Sequence, residues 1–188
     1  MTTLQTPVPP SCLLADVTKA VTVRAAMPAD TQAVARVLAR SYRALLAKDY
    51  KPDLLKQVLP LISQANPRLL SCGTYFVAEQ EDRILAVGGW TDVSPHGAPG
   101  REGVGHIRHV AVDPNAARQG FGAVLMQRVF RSARAARAME LRCQSTLTAQ
   151  PFYEALGFES LGLIDVRLPT GVLFPAVQMR RQEPDERA

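Results

Sequence analysis

The chain reads as an α/β domain, a mixed central β-sheet with helices on both faces. Three observations predict this. Runs with helical spacing alternate with short apolar runs in the order β-α-α-β-β-β-α-β-α-β-β. Glycine and proline separate these runs, with no internal repeat or low-complexity stretch between them. The length of 188 residues, 47% hydrophobic and 21% charged, suits one domain, and a domain of this size buries roughly 70% of its unfolded surface without needing a staple.

Each element has a local reason. Val21 to Arg24 is a short strand, and Met27-Pro28-Ala29-Asp30 then starts a helix, with Pro28 in the first turn and Asp30 near the positive end. Val34, Val37, Leu38, Leu45 and Leu46 recur at helical spacing through Ala47. Lys48 to Leu70 is a second helical region, interrupted by Pro52, Pro60 and Pro67. Thr74 to Glu79 and Ile84 to Thr91 form a hairpin, followed by a Gly- and Pro-rich loop, Asp92 to Gly105. His106 to Val112 is a strand stopped by Asp113-Pro114, Gly120 to Ala138 a helix, and Met139 to Gln144 a strand. Thr148 to Leu156 is a helix closed by Gly157, the residue expected at a left-handed cap. Phe158 to Leu168 and Val172 to Met179 are strands joined around Pro169-Thr170-Gly171. Residues 1–20, with three prolines, read as an extension, 21–180 as the single domain and 181–188 as a charged tail.

Composition narrows the function classes. Cys12, Cys72 and Cys143 lie in no metal-ligand spacing and read as reduced thiols; no metal is expected. No apolar run approaches the roughly 20 residues that span a bilayer, and residues 1–15 lack the pattern of a signal peptide. The expectation is a cytoplasmic protein without a membrane partner. The net charge of +5 and pI near 9.4 leave nucleic acid, a membrane surface or an anionic ligand as partners, and composition alone does not choose among them. Arg128, Arg131, Arg134 and Arg137 recur every three residues, which reads first as a solvated helix face. No aromatic residues interleave with them, so nucleic acid is the poorer explanation of the charge.

The most informative segment is His106-Ile-Arg-His-Val-Ala-Val-Asp-Pro-Asn-Ala-Ala-Arg-Gln-Gly-Phe-Gly-Ala123: a strand, a turn and a glycine-containing loop that opens a helix. Gly120 and Gly122 permit close approach of backbone to a ligand, or close packing of the helix. The helix start presents unpaired N–H groups and a positive dipole end, suited to phosphate. Neither a Walker loop nor a dinucleotide fingerprint is present. The segment resembles the acetyl-CoA-binding motif of the GNAT superfamily of N-acetyltransferases. Ala149-Gln-Pro-Phe-Tyr-Glu-Ala-Leu-Gly-Phe158 resembles that superfamily's other signature, Ala-x-x-Phe-Tyr-x-x-x-Gly-Phe, and Arg24, Pro28 and Asp30 are similar to its opening. The likeness runs from about Val21 to Met179. It departs at Ala117, where the family often has Arg or Gln; Arg118 could supply the missing cation.

The resemblance implies a GNAT fold and transfer of an acetyl group from acetyl-CoA directly to an amine, without metal or acyl-enzyme. It places Val110, Ala111 and Val112 along the pantetheine arm, where the strand spreads from its neighbour. Arg118, Gln119, Gly120, Phe121, Gly122 and Ala123 fall at the pyrophosphate, and Phe152 beside the cofactor. Tyr153 falls near the CoA sulfur as general acid, and His106 at the strand start as a base acting through water. His109 reads as weaker, since strand alternation should turn it away from His106. Trp90 reads as sheet packing. The acceptor should meet the variable parts: Lys48 to Leu70, Asp92 to Gly105 and Pro169 to Gly171. The last strands could pair in a homodimer. The rival reading is a non-catalytic acyl-CoA-binding sensor, which would need neither Tyr153 nor His106.

Overall fold

The computed structural model describes residues 21–95 and 100–183. The expected 1–20 extension, His96 and residues 184–188 lie outside them. The strands are β1 (Thr22–Ala25), β2 (Tyr75–Gln80), β3 (Arg83–Thr91), β4 (Val104–Val112), β5 (Glu140–Thr146), β6 (Glu159–Arg167) and β7 (Leu173–Gln182). The helices are α1 (Thr31–Leu45), α2 (Pro52–Ile62), α3 (Pro67–Leu70), α4 (Phe121–Ala135) and α5 (Gln150–Ala155). All seven strands join one sheet in the order β1-β2-β3-β4-β5-β7-β6. Only β4 and β5 run parallel, so the sheet is mixed, as expected.

Strand alternation loads both faces. Tyr75 and Val77 of β2, with Val87 of β3 and Ala111 of β4, pack with Val34, Val37 and Leu38 of α1. Their neighbours Phe76, Ala78, Trp90 and Ile107 pack with Leu125, Met126 and Val129 of α4 on the opposite face. Each such fully buried side chain contributes about 1.5–3 kcal/mol of apolar burial. A third cluster joins Leu55 and Val58 of α2 to Tyr50 and Phe174, with the Tyr50 and Phe174 rings stacked at 4.7 Å.

Local signals act as the sequence suggests. Asp30 accepts the Met27 N–H at 2.8 Å and pairs with Arg24 at 2.8 Å, which ties β1 to the entry of α1. Gly157 takes φ +84 just past α5 and donates its N–H to Glu154 O at 2.9 Å. The Trp90 indole donates to Ser132 Oγ of α4 at 3.1 Å, a packing contact.

The charged tail is corrected at its start. β7 continues to Gln182, with Arg181 opposite Leu141 and Gln182 opposite Glu140. Glu183 is buried and pairs with Arg134 at 3.2 Å and with Arg181. Arg181 also lies 3.9 Å over the Phe130 ring. These charges have internal partners, so they extend the sheet instead of leaving it. The arginine run of α4 divides the same way: Arg128 stacks on Phe76 at 4.8 Å and Arg134 meets Glu183, while Arg131 and Arg137 are exposed.

Candidate functional site

The site begins where two strands part. β4 and β5 pair only at Val104–Glu140, Gly105–Leu141 and His106–Arg142. Beyond that point β5 stays with β7, from Cys143–Met179 to Thr146–Ala176. β4 is instead deflected by a bulge: two steps of β3, Val87 to Gly89, face three of β4, Arg108 to Ala111. His109 takes φ +43 there, and its carbonyl accepts the Tyr75 hydroxyl at 3.0 Å. An extra residue bends a strand and raises its twist. The result is a cleft of about 1550 Å³ between Ile107–Val112 on one wall and Cys143–Thr146 on the other.

At one end of the cleft β4 runs into α4. Asp113 accepts the Asn115 N–H at 2.9 Å and pairs with Arg40 of α1 at 2.9 Å, fixing the turn. Arg118 and Gly120 take left-handed φ of +63 and +90, and α4 starts at Phe121. The first N–H groups of a helix have no partner within it, and Gly120, Gly122 and Ala123 line the cleft together with Ala117 and Arg118. The two glycines serve different ends. A Cβ on Gly120 would meet nothing within 4 Å, and only the left-handed φ of +90 disfavours a side chain there. A Cβ on Gly122 would stand 3.1 Å from the Phe152 ring and 3.3 Å from Val112. Gly122 thus packs the helix against α5 and β4.

Of the other expected ligand residues, Val110, Ala111, Val112 and Phe152 line the cleft. Gln119 and Phe121 do not. Phe121 is buried in the core beside α4. Gln119 is exposed, with its side chain donating to Asn115 O at 2.8 Å and its N–H directed to Ala116 O at 3.4 Å.

Tyr153 is 6% exposed and lines the cleft, held edge-on between Phe152 and Phe158 at 5.3 Å each. Burial holds its hydroxyl well above the ordinary phenol range. Tyr42 of α1 lines the same cleft and is raised by burial too. Cys143 lies opposite, its thiol pushed up to about 12 by burial, so it is protonated and a poor nucleophile at neutral pH.

The two histidines separate in an unexpected way. His106 lines a small neighbouring cavity of about 100 Å³. That cavity shares Pro95, Ile107, Cys143 and Gln144 with the cleft. His109, read from strand alternation as the weaker candidate, lines the cleft itself. Burial, and then the neighbouring Arg108 charge, pull its pKa down to about 4. The bulge breaks the alternation on which the expectation rested, and no residue type in the strand announces it.

The far end of the cleft is built by Ser41, Tyr42, Leu45 and Leu46, by Lys48, Leu61, Ile62 and Gln64, and by Val166 to Pro169 with Phe174. It therefore draws on parts of the Lys48–Leu70 region and of the last-strand turn that were expected to meet the acceptor.

The sequence matches the family model for a GNAT acetyltransferase domain over residues 71–160. That span holds β4, the loop, α4 and the Phe152-Tyr153 helix. By that match the segment from 71 to 160 is a GNAT acetyltransferase domain. Solved structures agree on the fold of the chain. A GCN5-related N-acetyltransferase from Rhodopseudomonas palustris superposes with a TM-score of 0.72 at 17% identity, over 86% of this chain and 94% of its own. The PaiA N-acetyltransferase from Thermoplasma acidophilum, solved with coenzyme A, gives 0.65 at 11% identity, over 87% and 99%. The ribosomal-protein-S18-alanine N-acetyltransferase from Escherichia coli gives 0.58 at 17% identity, over 90% and 99%. No curated protein sequence matches significantly. Among the described residues, no helix is long and apolar enough to cross a membrane.

Proposed function

We propose that this chain transfers an acetyl group from acetyl-CoA directly to an amine acceptor. The observation that carries the reading is the parting of β4 and β5 after His106, with the unpaired N-terminus of α4 at the end of the opening. A slot with free strand edge accepts an amide-bearing arm, and a helix start accepts the phosphates. The residues present fit acetyl-CoA: Gly120 leaves the helix mouth open and Arg118 adds a cation there. Bound there, the thioester supplies an activated acetyl carbonyl; the rest is the work of the chain.

Val110 and Val112 offer backbone groups to the arm and to developing charge on the carbonyl oxygen. Tyr153 keeps its proton at neutral pH. A thiol has a reference pKa of about 8.5, so full transfer from so weak an acid is uphill. The Tyr153 hydroxyl therefore acts first as a hydrogen-bond donor to the leaving sulfur. For the incoming ammonium, His109 at about 4 holds a proton too weakly, which leaves His106 as the base. The cavity beside His106, about 100 Å³, is large enough to hold water, as a relay into the cleft requires.

Titration calorimetry with acetyl-CoA, paired with thiol release across a set of amines, tests the reading. Gly120→Val should weaken acetyl-CoA binding tenfold or more, about 1.4 kcal/mol; the left-handed φ of +90 also strains any side chain there, so circular dichroism checks the fold before the titration. Wild-type affinity in that variant would remove α4 from the binding site.

A further inference from the structure

The charged side chains that line the cleft are Lys48, Arg108, Arg118 and Arg167; no Asp or Glu lines it among the described residues. Arg118 belongs to the phosphate end, and Lys48 and Arg167 are exposed at the rim. Arg108 differs from all three. It is half-buried, and its Nη1 donates to Thr91 Oγ1 at 3.0 Å. No carboxylate pairs with it among the described residues.

Its position is also specific. Arg108 is in register with Gly89 and Tyr75, on the sheet face covered by α1. It lies four residues before Val112, roughly 10–13 Å along the strand from the turn into α4. CoA phosphates held at the start of α4 therefore do not account for it. The lining of the same cleft includes the apolar side chains Leu45, Leu46, Ile62, Leu168 and Phe174.

Resting on the acetyl-transfer reading, we infer that Arg108 receives the carboxylate of the acceptor, which makes the acceptor an α-amino acid with an apolar side chain. A guanidinium has five N–H donors, and a carboxylate takes two of them side by side. Removing a charge from water without a partner is costly, and an incoming anion offsets that cost. Burial already draws the Arg108 pKa below its ordinary value. Polyamines and lysine-rich peptides would bring positive charge to a cleft that carries only positive charge. In the reaction the neutral amine nitrogen attacks the thioester carbonyl, so that an N–C bond forms and the C–S bond breaks. The sulfur leaves with the electron pair and gains a proton, and the nitrogen loses one.

The test is calorimetry on the protein saturated with coenzyme A. The probes are L-leucine, L-methionine and L-phenylalanine, the amide of each, O-phosphoethanolamine and spermidine. At least one amino acid should bind at least tenfold more tightly than its amide, and spermidine should not bind. Arg108→Gln should abolish that preference without changing coenzyme A affinity, and Arg108→Lys should keep part of it. The inference is overturned if amides bind as well as acids, if O-phosphoethanolamine binds best, if none of the three amino acids binds, or if Arg108→Gln keeps the preference. Binding that depends on Arg108 but yields no thiol release from acetyl-CoA would sink the transfer reading and leave the anion site standing.

Discussion

Tyr153 occupies the position where a small change separates an enzyme from a binding module. Its ring is fixed by edge contacts to Phe152 and Phe158 at 5.3 Å, so Tyr153→Phe should keep the packing and the acetyl-CoA affinity. Only the hydroxyl is lost. Turnover at saturating acetyl-CoA should fall roughly 10²-fold, the lower range for a positioned proton donor; wild-type turnover would make Tyr153 a core residue and favour the sensor. The histidines are told apart by pH. If His106 is the base, His106→Ala should lose most activity near neutral pH and recover at high pH, where the amine deprotonates unaided. A profile parallel to wild type would return His106 to structure. His109→Asn should leave the shape of the profile between pH 6 and 9 unchanged, because a group titrating near 4 does not change state in that window.

At the level of elements, Gly120 and Gly122 should respond differently to the same substitution. Gly122→Val presses on Phe152 and Val112, at 3.1 and 3.3 Å even for a Cβ, and overpacking of this kind costs about 1–3 kcal/mol. Denaturant unfolding should therefore show a stability loss for Gly122→Val accompanied by weakened acetyl-CoA binding. A Gly122→Val protein as stable as wild type would show that α4 and α5 can move apart. The sequence holds both glycines but not this division, because Phe152 lies 30 residues away and only the packing of α5 brings it close. The order of strands and helices was legible except between Lys48 and Leu70, read as one helical region, where Pro67 opens a separate helix and the structure has both α2 and α3; elsewhere each run carries its own periodicity and its own stop, as at Asp113-Pro114 and Gly157. The expected cleft followed from the two motifs. Two features escaped for one reason, that pairing partners are not written locally. The bulge at His109 depends on how β4 meets β3, and the continuation of β7 through Arg181 depends on Leu141 and Glu183 being there to receive it. Arg108 was passed over because an arginine within a strand carries no signal until its neighbours are known to lack a carboxylate.

The whole molecule should record the half-buried His109 in its acid stability. The sign follows from the direction of the shift. An unfolded histidine takes up a proton near 6.5, whereas folded His109 resists until about 4. Between those values the unfolded chain binds more protons, so stability falls as pH falls. The contribution is fully present above pH 6.5 and lost by about pH 4. Asp30 adds a second, lower step. Its carboxyl is held below the usual range by hydrogen bonds from Arg24, so its contribution persists through pH 4 and is lost only as pH falls through its folded value. The two groups thus act in adjacent windows and can be separated. Urea unfolding at intervals from pH 7.5 to 2.5 should show, in wild type, a decline that sets in near pH 6.5 and continues below pH 4. His109→Asn removes the titration, and asparagine tolerates the left-handed backbone that φ +43 requires. Its absolute stability will differ from wild type through lost packing, so the slope is the readout. That slope should be markedly flatter between pH 6.5 and 4.5, while the decline below pH 4 remains. A variant whose stability falls in parallel with wild type across the upper window would show that His109 accepts its proton without leaving the fold, and that the cleft admits water enough to hold an imidazolium.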